Sequence, residues 1–365
     1  MAGPPPVVAR GRTAVRGALA QRLETLADDT AVGRLAPRVV VGLSGGADSL
    51  ALLATTVWVA SRMGLECEAA IVDHGLQDES SSVAERARAQ AERLGATAHV
   101  LRVGVDPDAP GGLENAARDA RHAALDALLE DRGALALLLG HTLDDQAEQV
   151  LMGLARGAGP RALAGIPRSR DALLRPFLGT GRDESTALRR EDTEEICRLH
   201  DLEWWEDPMN ADESMLRARV RHRALPLLRE VLGEQVDVNL ARTADLLRPD
   251  VDHLDAEAHD LLDSLVRDGG EQREEEDLLL LDVHALAVAP AALRTRVLRD
   301  ASRRARHLCE EETERAGSTK SLLRRQVLTI DALVVSWHGQ AAVPVPGRIE
   351  VARRDGLLVW RRTDP

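Results

Sequence analysis

Between residues 38 and 156, short apolar runs alternate with longer stretches in which apolar positions recur at helical spacing. Residues 38–43, 67–73, 97–103 and 134–139 read as strands, and the segments starting at Ser49, Asp78 and Leu113 have helical length and composition. Strands this apolar, separated by helices, imply a parallel sheet covered on both faces. Such a sheet binds ligands at the carboxyl ends of its strands, so functional side chains are expected just after each one.

From about Asp183 the pattern turns mostly helical, with helices expected over 216–232 and 235–266. Acidic stretches at 268–277 and 310–314 read as solvated insertions or linkers. Helices near 291–309 and 321–337 follow, then strand-type alternation over 343–360 with a turn at Asp355-Gly356. The expected fold is α/β: a Rossmann-like parallel-sheet domain, a mostly helical domain, and a small α/β C-terminal domain.

Composition sharpens this picture. At 44% apolar and 29% charged the chain is not wholly disordered, and no apolar run approaches the roughly 18 residues that span a bilayer. Net charge is −13, which argues against indiscriminate nucleic-acid binding but allows a local basic patch. Among 47 basic residues Lys320 is the only lysine, tyrosine is absent, and Phe177 is the one phenylalanine, so aromatic base-stacking groups are scarce. Cys67, Cys197 and Cys309 are far apart, as in a reduced cytoplasmic protein, and offer no zinc or iron–sulfur spacing. The start of the chain carries Arg10, Arg12, Arg16 and Arg22 with no acid before Glu24, like an organellar transit segment but without its serines; it reads instead as a Pro-rich disordered start at Pro4 to Pro6 followed by a basic amphipathic helix.

After the first strand comes Gly42-Leu43-Ser44-Gly45-Gly46-Ala47-Asp48-Ser49, leading into a helix. Glycines let backbone N–H groups converge on an anion, the helix start is electropositive, and Ser44 and Ser49 add hydroxyl donors. No Gly-Lys-Ser/Thr follows, so this is not a Walker loop; Asp48 could hold a Mg²⁺ that bridges phosphates. The same residues would also serve a plain strand–turn–helix with a polar cap. After the fourth strand, His141-Thr142-Leu143-Asp144-Asp145-Gln146-Ala147-Glu148 places His141 with Asp145, and Asp144 with Glu148, at i, i+4. Acids in a first helical turn commonly complement the dipole; beside a phosphate loop they are candidates for binding a cation or a substrate ammonium. Arg217, Arg219, Arg221 and Arg223 form two i, i+4 pairs, either a solvated face or a phosphate-binding one.

The Ser-Gly-Gly-x-Asp-Ser string resembles that of the PP-loop superfamily of ATP pyrophosphatases. Four further strings narrow the likeness: Glu114 to His122, His141 to Glu148, Arg156-Gly157-Ala158-Gly159-Pro160 and Arg175-Pro176-Phe177-Leu178, with Glu206-Asp207-Pro208-Met209-Asn210 beyond them. Together they resemble the tRNA(Ile)-lysidine synthetase family, most strongly over 39–228. The resemblance implies ATP and Mg²⁺ as cofactors and, as substrates, L-lysine and an isoleucine tRNA with a CAU anticodon. ATP would adenylate the cytidine O2, and lysine would then displace AMP at C2. It implies that Ser44, Gly45, Gly46, Ala47, Asp48, Ser49, Asp73 and His74 bind ATP, with Asp48 and Asp144 as metal ligands. Asp48, His141, Asp145 and Glu148 would be catalytic, Asp145 and Glu148 would take the lysine amine, and Arg118, Arg217, Arg219 and Arg221 would contact tRNA. The C-terminal Arg303, Arg304, Arg306, Arg324 and Arg325 would meet the acceptor side. The implied organisation is a basic extension over 1–36, a catalytic domain over 37–212, a helical tRNA-contacting linker over 213–277 and a substrate-binding C-terminal domain over 278–365. A homodimer without membrane attachment is also implied. His122, Ala218 and Gln77 depart from the family's usual Tyr, Asn and Arg. The competing readings are another PP-loop tRNA-modifying enzyme, such as a thiolase, or a non-catalytic nucleotide- or RNA-binding module; the first lacks paired cysteines, and the retained acids argue against the second.

Overall fold

The computed structural model describes residues 3–27, 37–75, 79–105, 112–180, 186–270, 273–313 and 322–363. Gln77, Glu314 and Lys320 lie outside the described residues, as does the side chain of Glu114. The chain divides into two compact units, residues 1–248 and 249–365.

The first unit opens with α1 (Pro6–Ala27), followed by β1 (Arg38–Gly42), α2 (Ala47–Met63), β2 (Glu66–Asp73), α3 (Ser80–Leu94), β3 (Thr97–Arg102), α4 (Leu113–Arg132) and β4 (Ala136–Leu138). Then come α5 (Leu143–Ala155), α6 (Pro160–Leu163), β5 (Ser169–Arg170), β6 (Leu173–Leu174) and α7 (Arg190–Leu199). The sheet order is β3-β2-β1-β4-β6-β5, parallel except for β5. Strand order reverses between β1 and β4, creating a crevice outside their carboxyl ends, the usual ligand site of such sheets. All four expected strands form.

The two-residue period of β1 divides the core. Val39 and Val41 join Leu50, Leu53 and Val59 of α2 on one face; Val40 joins Leu125 and Leu128 of α4 on the other. Each such buried side chain contributes roughly 1.5–3 kcal/mol. Helix α2 is buried from Ser49 to Thr56 because α1 and α7 both pack on it. Helix α1 therefore belongs to this core, to which it adds Val8, Ala14, Val15 and Leu19. Its arginines are used locally: Arg12 stacks on Trp58 at 3.8 Å, Arg10 pairs with Asp192, and Arg22 donates to Leu135 O at 3.0 Å.

The expected 216–232 helix is interrupted. It comprises α8 (Leu216–Arg219), a π-helical turn over Val220–Ala224, and α9 (Leu225–Leu232). Pro226 has no N–H to donate to the preceding turn, and Leu225 N–H reaches back to Val220 O, five residues away. Then α10 (Val236–Leu265) carries the chain into the second unit.

That unit contains β7 (Asp277–Asp282), α11 (Val283–Ala287), α12 (Ala291–Thr313), α13 (Arg324–Val335), β8 (Val343–Val345), β9 (Ile349–Arg354) and β10 (Leu357–Arg362). Its antiparallel sheet has the order β7-β10-β9-β8 and packs Leu279, Leu281 and Trp360 with Val297, Ala301, Ile330 and Leu333. The β9–β10 turn falls at Asp355 and Gly356, both with positive φ, as expected. The acidic 268–277 stretch is not wholly solvated: Asp277 is buried at the start of β7, where it accepts from Glu274 N–H at 2.9 Å and pairs with Arg354. Among the described residues, no helix is long and apolar enough to cross a membrane.

Candidate active site

The phosphate loop leaves β1 at the crevice. Gly45 has φ +84°, a conformation L side chains rarely adopt, and a Cβ there would press on Val83. Ser49 Oγ donates to Gly46 O at 2.9 Å and accepts from Ser44 N–H at 3.1 Å, bracing the loop through hydroxyl groups. Trp205 N–H holds Gly45 O at 2.9 Å. On the far side of the crevice, Gly140 approaches so closely that a Cβ would lie 2.8 Å from Asp48 O. Glycine at 140 thus lets the strand end carrying His141 meet the loop helix.

Helix α5 begins at Leu143 with Thr142 as its cap, and Asp145 closes the capping box through Oδ2, which accepts from Thr142 N–H at 2.8 Å. Its other oxygen, Oδ1, accepts from Arg190 Nη2 at 3.1 Å and Arg217 Nη2 at 3.0 Å. One turn on, Glu148 is fully buried and accepts from Arg217 Nε and Arg221 Nε, each at 2.7 Å, with Arg190 Nη1 at 3.6 Å. Asp48 accepts from Thr193 Oγ1 and faces Arg190 Nε at 3.8 Å. Arg190 therefore touches Asp48, Asp145 and Glu148, and its backbone N–H donates to Asp144 at 2.9 Å.

These contacts set the protonation states. Burial pushes the Asp48 carboxyl up to about 6, with further repulsion from Asp145 and Asp144 set against Thr193 and Arg190. Burial also acts on Asp145, but Arg190, Arg217 and His141 outweigh it and hold that carboxyl below its usual range. His141 is lowered to about 4, first by burial and then by Arg175, Arg217 and Arg118 against the pull of Asp145, so its imidazole is neutral at physiological pH.

The other expected residues fall at separate places. Asp73 ends β2 and accepts from Gly75 N–H at 3.1 Å, with His74 beside it. Arg118 is exposed on α4. The two i, i+4 arginine pairs part company: Arg217 and Arg221 grip Glu148, whereas Arg219 donates to Glu213 O and Ser214 O, both at 2.7 Å, and Arg223 lies 3.6 Å from Glu213. Arg303 and Arg304 form ion pairs with Asp300 and Asp263. Nothing local in the sequence marks Arg190 or Thr193, since α7 reaches the crevice only through long-range packing on α2.

The acid set offers donors of the kind that Mg²⁺ takes. Asp48 and Asp144 carry hard oxygen atoms, and the repulsion that Asp145 and Asp144 exert on Asp48 is what a divalent cation would relieve. Among the described residues no three His, Cys, Asp or Glu side chains form a closed cage, and Mg²⁺ usually takes only one or two carboxylates along with phosphates and water. The cysteines do not form a disulfide, and burial raises the Cys67 and Cys197 thiols to about 12.

The family model for the PP-loop domain matches residues 17–228. The chain is 42% identical over 359 residues to the tRNA(Ile)-lysidine synthase of Thermobifida fusca, covering 98% of this chain and 99% of that one. It is 44% identical over 357 residues to the enzyme of that name from Nocardia farcinica, covering 96% and 97%, and 42% identical over 325 residues to that of Leifsonia xyli subsp. xyli, covering 88% and 89%. Among solved structures, the U34-tRNA thiolase NcsA from Methanococcus maripaludis with its [4Fe-4S] cluster aligns with a TM-score of 0.50 and 18% identity over 66% of this chain and 80% of that one, a likeness of fold alone. With a braced phosphate loop and an acid-bearing helix facing each other across the β1/β4 crevice, and with identity to these relatives running almost from end to end, the chain belongs to the tRNA(Ile)-lysidine synthase family.

Proposed function

We propose that this protein ligates L-lysine to C2 of the cytidine at the first anticodon position of a CAU-bearing isoleucine tRNA, consuming ATP. In the first step the cytidine O2 attacks the α-phosphorus of ATP and pyrophosphate leaves. In the second, the lysine ε-amine attacks C2, loses a proton, and expels AMP as the C2–O2 bond breaks. The observation that carries this reading is the reach of Arg190: one guanidinium group touches Asp48 of the phosphate-loop helix and Asp145 and Glu148 of α5, so the ATP cradle and the acid pair share one boundary.

Ser44, Gly45, Gly46, Ala47 and Ser49 hold the phosphates, and Asp73 and His74 flank the nucleotide from the neighbouring strand end. Asp48 and Asp144 would hold Mg²⁺, which when bound neutralises phosphate charge. Asp145 and Glu148 dock the lysine ammonium. Its ordinary pKa lies well above neutrality, so a carboxylate must also accept its proton before attack. His141, neutral and at the strand end beside the loop, would serve at the reacting centre. Arg118, Arg217, Arg219 and Arg221 meet tRNA phosphates. For Arg217 and Arg221 this entails an exchange in which phosphate takes the guanidinium and the ammonium takes the acid. The test is the release of AMP and pyrophosphate: both require CAU-bearing isoleucine tRNA, and omitting lysine stops turnover after adenylation. AMP release independent of tRNA contradicts the proposal.

A further inference from the structure

Strands β4 and β6 end side by side, with Leu138 paired to Leu174 and Leu139 N–H donating to Leu174 O at 2.9 Å. The chain leaving β4 carries His141, and the chain leaving β6 begins at Arg175, in the Arg-Pro-Phe-Leu string to which the reading above gives no role. Arg175 is only 8% exposed. Its Nη1 donates to Pro167 O at 2.8 Å, but its Nε is buried without a partner, as is His141 Nδ1. No carboxylate among the described residues pairs with it.

The surroundings are basic. Burial, and then the guanidinium groups of Arg170, Arg118 and Arg248, lowers Arg175 to about 10. A buried cation among cations, lacking a counter-charge, is an unfavourable arrangement that a bound anion would complete. Guanidinium forks at a strand end match phosphate oxygens.

We propose that Arg175, with Arg118 beside it, binds a backbone phosphodiester of the tRNA next to the target cytidine. This rests on the lysidine-forming reading above. ATP is the other source of phosphate, but its cradle lies at the end of β1, and β6 is two strands away, about 10 Å at the usual strand spacing. A phosphodiester reaching Arg175 therefore comes from the strand that delivers the base to the crevice.

The test compares wild type with Arg175→Met and Arg175→Lys in the full chain. For Arg175→Met, tRNA affinity should fall about 10- to 100-fold, the slope of log affinity against log salt should become shallower by about 0.7, and the KM for ATP should stay at its wild-type value. The Lys variant, which keeps the charge without the fork, should retain the slope and lose affinity several-fold. It answers the question if the Met variant does not fold. Unchanged tRNA affinity and slope in a folded variant, or a raised KM for ATP in place of weaker tRNA binding, overturns the site while leaving the lysidine reading intact. Failure of the wild-type chain to transfer lysine to the tRNA overturns that reading and this inference with it.

Discussion

Arg217 clasps Glu148 Oε2 through Nε at 2.7 Å and Asp145 Oδ1 through Nη2 at 3.0 Å. A cation on a flexible stem thus occupies the two acids proposed to receive the lysine ammonium, another cation on a flexible stem. Lysine docking at these acids would displace it, and the side chain is placed to move, since the Arg217 side chain is 42% exposed whereas Glu148 is fully buried.

Glu148→Gln should raise the KM for lysine at least tenfold while leaving ATP binding near wild type. It also leaves Arg217 and Arg221 facing a neutral group, a loss of roughly 2–3 kcal/mol given their partial exposure. Steady-state kinetics and chemical unfolding check both; an unchanged KM for lysine would remove Glu148 from the lysine site.

Asp48→Asn should abolish pyrophosphate release yet stabilise the fold at alkaline pH. Folded Asp48, with its carboxyl raised to about 6 from 3.8, binds its proton more tightly than the unfolded chain does. Its contribution therefore favours folding below about pH 4 and is lost as pH rises through 6. The variant should exceed wild type by on the order of 2–3 kcal/mol at pH 8 and converge with it near pH 4. A Tm difference independent of pH contradicts this.

His141 acts in the opposite sense. Its pKa is lowered to about 4 from 6.5, so the unfolded chain takes up the proton first and stability falls as pH drops from about 6.5 towards 4. Between pH 7 and 4.5, His141→Leu should lose less stability than wild type by about 2–3 kcal/mol. Urea unfolding at the two pH values measures the difference, and parallel losses in both proteins would refute it.

Arg219→Glu and Arg217→Glu should separate tRNA binding from lysine docking. Arg219 bonds only carbonyl oxygens, so its reversal should weaken tRNA in a salt-dependent way with the KM for lysine unchanged. Reversing Arg217 places a third acid against Asp145 and Glu148 and should damage both. Equal effects of the two variants on lysine use would contradict the division seen here.

The strands and the loop were legible because their signals are local: apolar runs such as Val39 to Val41, and glycines where Gly45 needs a positive φ. The two-residue strands β5 and β6 are too short to show a period, and β7 follows directly on an acidic stretch that masks its leucines. The acid cluster after β4 was legible by position, whereas its partners were not. Arg190 and Thr193 meet Asp48 across the fold, and the spacing that paired Arg217 with Arg221 said nothing of Glu148 between them. The π-helical turn has a local cause in Pro226, but a proline inside an otherwise helical pattern signals a disruption without specifying its form.

The most direct test of the central claim is ATP-dependent transfer of radiolabelled L-lysine to an isoleucine tRNA transcript bearing CAU, with a methionine tRNA transcript carrying the same anticodon as control. Label is expected on the isoleucine transcript alone, with one AMP released per lysine transferred. Label on neither transcript, with ATP, Mg²⁺ and folded protein present, would contradict it.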